Sequence, residues 1–322
     1  MPSPKLLTVK RETHPEWTLK PAELELLHAA KPPREVEIKT KAANISESEL
    51  RIVPTEFTAA HLMRPHLWWR HFFCKRRFFC RWRFFCRRRY RVRKNQKNLT
   101  PIEWQRFIHA IEALAESGMP SPTYQDFVQI HVTAMSTAAG MGWGAHKMSG
   151  HNGRNFLSWH REYLAKIEAR LMAINPLVTI PYWDGVTDRT AIPAALTDPA
   201  DIAAWGITRG PSFNGNSLGS ATQLNTLLAG SDFDVFQDTL EASPLHNRLH
   251  GLVGGTMASS ASPVDPLFWL HHAFIGKTWA DWQMLHPGVY PSNLAEVFLP
   301  LPIMTRSVAN VLNTKALGYV YA

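Results

Sequence analysis

Residues 245–250 read LHNRLH and residues 265–282 read DPLFWLHHAFIGKTWADW, and these two stretches decide how the chain is predicted to fold. His246 and His250 lie four residues apart, so on a helix both imidazoles project from one face and can bind one metal ion. Taken alone, two histidines at this spacing are more often ordinary helix residues than metal ligands. The pair becomes informative when a third histidine joins it.

That third histidine lies on the second stretch. Asp265 as N-cap and Pro266 at the first helical position predict the start of a helix there. An apolar stripe runs along this helix through Phe268, His272, Ile275 and Trp279. The ring of His272 is therefore expected to point into the core. A buried imidazole needs a partner for each ring nitrogen, and a metal ion is one such partner.

A second group of three histidines mirrors the first. One predicted helix carries His131, and a strongly periodic helix over residues 155–174 carries His160. The glycine-rich loop between them carries His151, and His146 is the one rival ligand on that loop. The first trio thus draws on two separate elements and the second on three, as a metal site built by the fold requires.

The composition of the two trios favours copper. Di-iron sites in helical bundles use Glu and Glu-x-x-His ligands, and no Glu-x-x-His occurs between residues 121 and 285. Blue copper needs a thiolate, but the three cysteines of the chain all lie within residues 70–94. Zinc also accepts three histidines. Two adjacent sites made only of histidine, each with an open position, suit a pair of copper ions that bind O2 between them.

The remaining sequence predicts a mainly α-helical catalytic domain over residues 91–322, behind an N-terminal extension of residues 1–90. A capping box from Thr100 to Glu103 and the pair Ser121-Pro122 predict two helix starts. Residues 186–240, rich in Gly, Ser, Asn and Asp, are predicted to form long covering loops with short helical pieces. We therefore expect a four-helix bundle that houses the dinuclear site, with few short strands.

Charge is concentrated in one segment. Residues 70–94 contain twelve Lys and Arg and no acid, and subtracting them from the formal net charge of +9 leaves −3. No specific nucleic-acid partner is therefore expected, and at most a weak contact of residues 70–94 with an anionic membrane or polyanion. The N-terminus lacks the apolar segment of a signal peptide, so a cytoplasmic location is expected, with leaderless export as the alternative.

The histidine motifs resemble those of the tyrosinase family. HNGRNFLSWHREYL at 151–164 is similar to its first copper motif, and LHNRLH with DPLFWLHHAF is similar to its second. The nine-residue step from His151 to His160 and the 22-residue step from His250 to His272 are typical of bacterial members. Also similar are RVRKNQKNLTP at 91–101, PYWD at 181–184 and Tyr-x-Tyr at 319–321.

The resemblance implies a ligand set and an activity. The implied copper ligands are His131, His151 and His160 on one ion, and His246, His250 and His272 on the other. With two copper ions and O2, such a protein hydroxylates monophenols at the ortho position and oxidises o-diphenols to o-quinones. Small phenols are the implied substrates. A catechol oxidase limited to diphenols, and a dicopper oxygen-binding protein without turnover, are the alternatives.

The resemblance also implies roles for two polar residues. Glu241, with Asp238 as its rival, resembles the acid that holds a water near the coppers. Asn247 resembles the residue associated with deprotonating monophenols, although its spacing equally suits a polar helix position. His271 is expected beside the site, because neighbours on a helix diverge by about 100° and cannot both face one ion.

Two positions depart from the family pattern. Gly276 stands where an Asp is frequent, and Gly185 stands where a Trp usually follows PYWD. Loss of a carboxylate beside the ligands and a glycine inside a helix are both expected to weaken the site.

Overall fold

The computed structural model describes residues 90–135, 143–146, 153–242 and 244–322. The predicted extension 1–90 lies outside the described residues except for Tyr90, and so does His151. The predicted domain boundary at residue 90 therefore stays a prediction. Within the described ranges, no helix is both long and apolar enough to cross a membrane.

Helices dominate the described part of the chain, as predicted. The helices are α1 (Pro101–Ala115), α2 (Tyr124–Ala134), α3 (Phe156–Ile174), α4 (Pro199–Ala204), α5 (Ala221–Ala229), α6 (Phe233–Glu241), α7 (Asn247–Val253), α8 (Leu267–Leu285) and α9 (Val308–Val311). Two short strands, β1 (Arg91–Arg93) and β2 (Tyr319–Tyr321), pair in parallel. Helices α5 and α6 are longer than the short helical pieces predicted for residues 186–240.

The core is built around α3 and α8, which pack against each other. Helix α1 packs on α3, and α5 packs on α8. The predicted apolar stripe of α8 is confirmed, because Phe268, His272, Ile275 and Trp279 are all buried. Almost every residue of α8 up to Trp282 is buried, which is typical of a central helix surrounded by other elements.

Helix starts follow the expected capping chemistry, with small shifts. The capping box of Thr100 and Glu103 is present. The next helix begins at Tyr124, after a capping box made by Thr123 and Asp126 rather than at Ser121-Pro122. Threonine at this position supplies a hydroxyl that accepts from the backbone N–H of Asp126, so the cap lies two residues later than predicted.

The start of α8 also differs by one residue. The helix begins at Leu267, and Pro266 precedes it. Asp265 still caps it, because the backbone N–H of Leu267 donates to Asp265 Oδ1 at 3.0 Å. Arg209 holds the same carboxylate with two hydrogen bonds of 2.8 Å. The cap that positions α8 is thus tied to a distant loop.

A buried ion pair joins β1 to α3. Arg93 donates to both oxygens of Glu168, at 3.1 and 2.9 Å, and its guanidinium lies 3.8 Å from the centre of the Tyr319 ring. Burial alone would raise the pKa of Glu168, but the attraction of Arg93 leaves that pKa below its usual value. Arg93 therefore links the first described strand to α3 through Glu168 and to the last strand through Tyr319.

We expect Glu168→Gln to lower the free energy of unfolding by about 3–5 kcal/mol, because it leaves a buried guanidinium without its counter-charge. Asp281→Asn is the matched control, since it breaks the partly exposed pair of Asp281 with Lys277 on α8. That change should cost less than about 1 kcal/mol. Urea unfolding of the metal-free protein measures both, and equal losses would contradict the importance of the buried pair.

Candidate metal centre

Histidines from four helices and one loop converge in the core. One cluster contains His131, His146 and His160, and a second contains His246, His250, His271 and His272. Helix α2 carries His131, α3 carries His160, and α8 carries the adjacent pair His271 and His272. His250 lies within α7, whereas His246 stands at its N-cap rather than inside the helix as its spacing predicted. His151 lies outside the described residues.

Four of these rings are oriented by backbone carbonyls. In the first cluster, Nδ1 of His131 lies 2.7 Å from the carbonyl oxygen of Ser260, and Nδ1 of His160 lies 2.8 Å from that of Phe156. In the second cluster, Nδ1 of His246 lies 2.9 Å from the carbonyl oxygen of Glu241, and Nδ1 of His250 lies 2.8 Å from that of Met257. A carbonyl oxygen only accepts, so each Nδ1 carries the proton and donates. The lone pair of each neutral ring is therefore on Nε2, which is the arrangement of a metal-binding histidine.

The Nε2 atoms point toward one another. His131 and His146 bring their Nε2 atoms to 3.2 Å, and His246 and His272 bring theirs to 3.3 Å. The Nε2 of His160 is buried and has no hydrogen-bond partner among the described residues. A buried nitrogen in this state needs a partner, and a copper ion bound between the rings supplies it. The residues present thus fit a metal.

The two clusters lie side by side. The rings of His160 and His272 stack with their centroids 4.3 Å apart and an angle of 15° between their planes. Phe156 packs against His160 and His246 at 5.0 and 4.8 Å. Phe268 packs against His131 and His272 at 4.9 and 4.1 Å. Two phenyl rings therefore enclose a pair of adjacent nitrogen-lined sites.

Burial keeps these imidazoles neutral. It lowers the pKa of His131 to about 3 and that of His250 to about 4. It also lowers the pKa values of His160, His246 and His272 well below their usual value. Metal ligation requires the deprotonated ring, so at neutral pH the histidines are already in the form that binds copper.

The adjacent pair on α8 divides its contacts: one nitrogen each of His246, His250 and His271 lies within 4.8 Å of the other two, whereas His272 meets His246 and His160. The Nε2 of His271 lies 3.2 Å from the carbonyl oxygen of His246, to which it donates, and the two rings stack at 5.2 Å. The Nε2 of His272 instead faces the Nε2 of His246. The buried Nδ1 of His271 has no hydrogen-bond partner among the described residues, so His271 also lies within reach of a metal ion, and the choice of His272 as the ligand stays a prediction.

The two predicted polar residues lie at different depths. Glu241 is 4% exposed at the end of α6, and its Oε1 is 3.9 Å from Nδ1 of His146. Its rival Asp238 is half-buried one turn earlier. Asn247 is exposed at the start of α7. Burial lowers the pKa of His246, and a hydrogen bond with the Asn247 side chain opposes that effect.

The two unusual glycines have close neighbours in this fold. A Cβ at position 276 would lie 2.7 Å from the Tyr321 hydroxyl, and one at position 185 would lie 3.2 Å from Cδ1 of Leu249. The carbonyl oxygen of Gly276 accepts from the buried Arg161 at 3.3 Å. Tyr321 thus occupies the space that a larger side chain at 276 would need.

The carbonyl partners and the enclosing phenyl rings were not found from the sequence. Phe268 belongs to the predicted stripe of α8, and that pattern was the one available signal for an aromatic wall. Every residue has a backbone carbonyl, so no sequence pattern singles out Ser260 and Met257 as the partners of histidines. Their positions depend on how the loop between α7 and α8 closes over the rings.

Comparison with known proteins agrees with this geometry. The family model for the common central domain of tyrosinase matches residues 121–217 and 207–285. The tyrosinase of Streptomyces glaucescens is 35% identical over 241 residues, which cover 61% of this chain and 84% of that protein. A functional unit of octopus hemocyanin superposes with a TM-score of 0.60 at 25% identity, covering 71% of this chain and 67% of that chain. Polyphenol oxidase from Thermothelomyces thermophila superposes with a TM-score of 0.54 at 17% identity, covering 71% of this chain and 87% of that chain. This likeness shows the shared fold.

The fold and the two histidine clusters define a protein with a dinuclear metal centre inside a helical core. The chain belongs to the tyrosinase family. It is a copper-dependent oxidase that uses two copper ions and O2.

A glycine controls the loop that orients His250. Gly255 has φ of +52°, and a Cβ there would lie 2.2 Å from the carbonyl oxygen of Thr208. We expect Gly255→Ala to cost more than about 2 kcal/mol, because it combines backbone strain with a clash two residues before Met257. Gly251→Ala in α7 is the control, since no atom lies within 4 Å of its added Cβ. Thermal unfolding of the metal-free protein compares them; a loss as large for Gly251→Ala would contradict the assignment.

The metal-free protein should lose stability in mild acid. Unfolded histidines titrate near pH 6.5, whereas His131 and His250 titrate at about 3 and about 4 in the folded state. Between these values the unfolded chain binds more protons, so the free energy of unfolding falls as the pH drops from about 6.5 toward 4. Urea titrations at pH 8, 7, 6 and 5 with a chelator measure this effect. Stability that is constant or rising from pH 7 to 5 would show that the rings are not held neutral.

Proposed function

We propose that the protein catalyses two linked reactions of small phenols. A monophenol and O2 give the o-quinone and one water, through hydroxylation beside the phenolic oxygen. Two o-diphenols and one O2 give two o-quinones and two waters. The single observation that supports this proposal best is the contact of the two clusters through His160 and His272 at 4.3 Å, because it places two metal sites close enough to act on one O2.

We propose that six histidines hold the copper pair. These are His131, His151 and His160 for one ion, and His246, His250 and His272 for the other. Bound copper supplies the activation of O2. The chain contributes fixed ring orientations through the carbonyl contacts, and Phe156 and Phe268 exclude water from the space between the ions.

The exposed position of Asn247 at the start of α7 supports a role for this residue when a phenol approaches the site. Its side chain is exposed and follows His246 directly in the chain, and it raises the pKa of that buried ring against the stronger effect of burial. Glu241 is the buried carboxylate nearest to the first cluster. In the proposed mechanism a water held by Asn247 and Glu241 takes the proton of a monophenol, which then approaches the metal as phenolate.

Small side chains near the first cluster support action on monophenols. The carbonyl of Ser260 accepts from His131, so the segment Ser260-Ala261-Ser262 runs directly past this ligand. Side chains of this size would obstruct a phenol ring beside His131 less than bulky ones would. A catechol oxidase limited to diphenols is therefore the less favoured reading.

The second candidate function is reversible O2 binding without turnover. The superposition with the octopus hemocyanin functional unit favours it, because the same fold serves that protein. In the proposed function a phenol approaches from the side of Asn247, and the exposed position of that residue beside His246 favours this function over a carrier.

The experiment is an assay of the copper-loaded chain with L-tyrosine and with 4-methylcatechol, following O2 uptake and quinone formation. We expect about two copper ions per chain and consumption of both phenols. Oxidation of the catechol alone would indicate a catechol oxidase, and O2 binding without consumption of either would indicate a carrier. His246→Ala should lose one copper ion and both activities; a wild-type chain that binds no copper would overturn the proposal.

We also propose a weak contact between the basic segment and a polyanion or anionic membrane. Residues 70–89 lie outside the described residues. At the end of the segment, Arg91 and Arg93 bind Glu168, and Lys94 binds Glu103, so these three charges serve the fold. The contact is therefore assigned to residues 70–89. Retention on heparin or on phosphatidylserine vesicles should fall when these residues are deleted, and equal retention would contradict the proposal.

A further inference from the structure

A buried glutamine of α6 contacts the start of α3, the helix that carries His160. We propose that this residue, Gln237, is a positioning residue for His160, and that it acts through the peptide group between Phe156 and Leu157. The inference rests on the proposed function, because it takes His160 as a ligand of the first copper ion. It concerns what holds that ring in place, not which histidines bind the metal.

The peptide group between Phe156 and Leu157 forms a hydrogen bond on each of its two sides. Its carbonyl oxygen accepts from Nδ1 of His160 at 2.8 Å. Its N–H, which belongs to Leu157, donates to Oε1 of Gln237 at 3.2 Å. In such a chain each hydrogen bond polarises the next, so Gln237 makes the carbonyl oxygen a stronger acceptor. A stronger acceptor at Nδ1 fixes the ring of His160 and raises the basicity of its Nε2.

The amide of Gln237 has one orientation that satisfies both of its partners. Its Nε2 donates to the carbonyl oxygen of Arg154 at 3.1 Å, while its Oε1 accepts from Leu157. A backbone carbonyl only accepts and a backbone N–H only donates, so a reversed amide would lose both bonds. At 1% exposure the side chain is also shielded from bulk water. The acceptor therefore stays directed at the peptide that holds His160.

The first turn of α3 takes this acceptor from another helix. The first N–H groups of a helix have no partner within it. Asn155, which precedes α3, does not cap it, because its side-chain amide donates to Trp143 and Glu296 instead. Capping alone would give Gln237 a structural role. The peptide that it caps is also the one that orients His160, so its role extends to the metal centre.

Helix α6 also reaches the second cluster. The backbone carbonyl of Glu241, one turn after Gln237, accepts from Nδ1 of His246 at 2.9 Å. The ring of Phe156 packs against both His160 and His246, at 5.0 and 4.8 Å. Gln237 therefore joins the helix that orients His246 to the peptide that orients His160. A change at Gln237 is expected to act directly on His160, and on His246 only through α6.

Two substitutions at one position separate the acceptor from the volume of the side chain. Gln237→Met keeps the length of the side chain but removes its strong acceptor and its donor. Gln237→Glu keeps an oxygen for Leu157, and when protonated it also donates to Arg154. Gln283→Met is the matched control. Gln283 also forms two hydrogen bonds, with Arg161 and with the carbonyl of Leu312, at 3.0 Å each, but neither partner holds a ring.

The first measurement is made on the metal-free, full-length protein with 15N-labelled histidine. In Gln237→Met the NMR signal of the proton on Nδ1 of His160 should move upfield, because its hydrogen bond weakens. In Gln237→Glu and Gln283→Met it should stay near the wild-type position. An unchanged signal in Gln237→Met would overturn the proposal. This measurement does not depend on the proposed function, because no copper takes part in it.

The second measurement is copper affinity against a competing chelator. Gln237→Met should bind one of its two copper ions about 10-fold more weakly, at the lower end of the range for the loss of an outer partner. Gln237→Glu and Gln283→Met should bind both ions nearly as the wild type does, although a lower melting temperature is expected for all three. Wild-type affinity in Gln237→Met would overturn the proposal, as would an equal loss in Gln237→Glu or Gln283→Met. A wild-type chain that binds no copper would count against the proposed function instead.

Discussion

The contact between ring nitrogens and backbone carbonyls is the constraint on which the site depends. Each carbonyl removes the ambiguity between the two tautomers of a histidine and fixes the direction of the other nitrogen. Four of the rings are held in this way by carbonyls from three segments, namely the start of α3, the end of α6 and the loop between α7 and α8. Helix packing brings the rings near one another, and the carbonyls then decide which atom each ring presents. The site is therefore oriented before any metal arrives.

Burial has two consequences that oppose each other. It keeps the imidazoles neutral and encloses them between Phe156 and Phe268, which suits metal ligation and O2 chemistry. It also leaves a polar atom such as Nε2 of His160 without a hydrogen-bond partner among the described residues. Such an atom costs about 1–3 kcal/mol of stability. Copper binding relieves that cost, so metal affinity and folding are coupled through the same atoms.

Charged anchors away from the histidines set the positions of the ligand-bearing helices. Arg209 holds Asp265, which caps α8 and so fixes the start of the helix that carries His272. Glu168 and Arg93 tie α3, the helix of His160, to the first described strand. Arg161 follows His160 directly and donates to carbonyls of α8 and α9. The polar network thus links the outer elements to the two central helices, and through them to the metal centre.

The sequence by itself determined the class of fold and the set of candidate ligands. Periodicity placed His160 and His272 on buried helix faces, and the spacing of the motifs indicated two histidine trios and copper rather than iron or a thiolate site. These features are local, because periodicity and spacing depend only on neighbours along the chain. The exact helix starts at Tyr124 and Leu267 were missed by a few residues, since several residues nearby can cap.

Only the tertiary structure decided how the rings face one another. Contacts between distant segments set the different surroundings of His271 and His272 and place the carbonyls of Ser260 and Met257. They also set the space that Tyr321 fills beside Gly276. The approach of His146 to His131 has the same origin. A backbone carbonyl carries no side-chain identity. The orientation of each nitrogen therefore becomes defined only when the chain has packed.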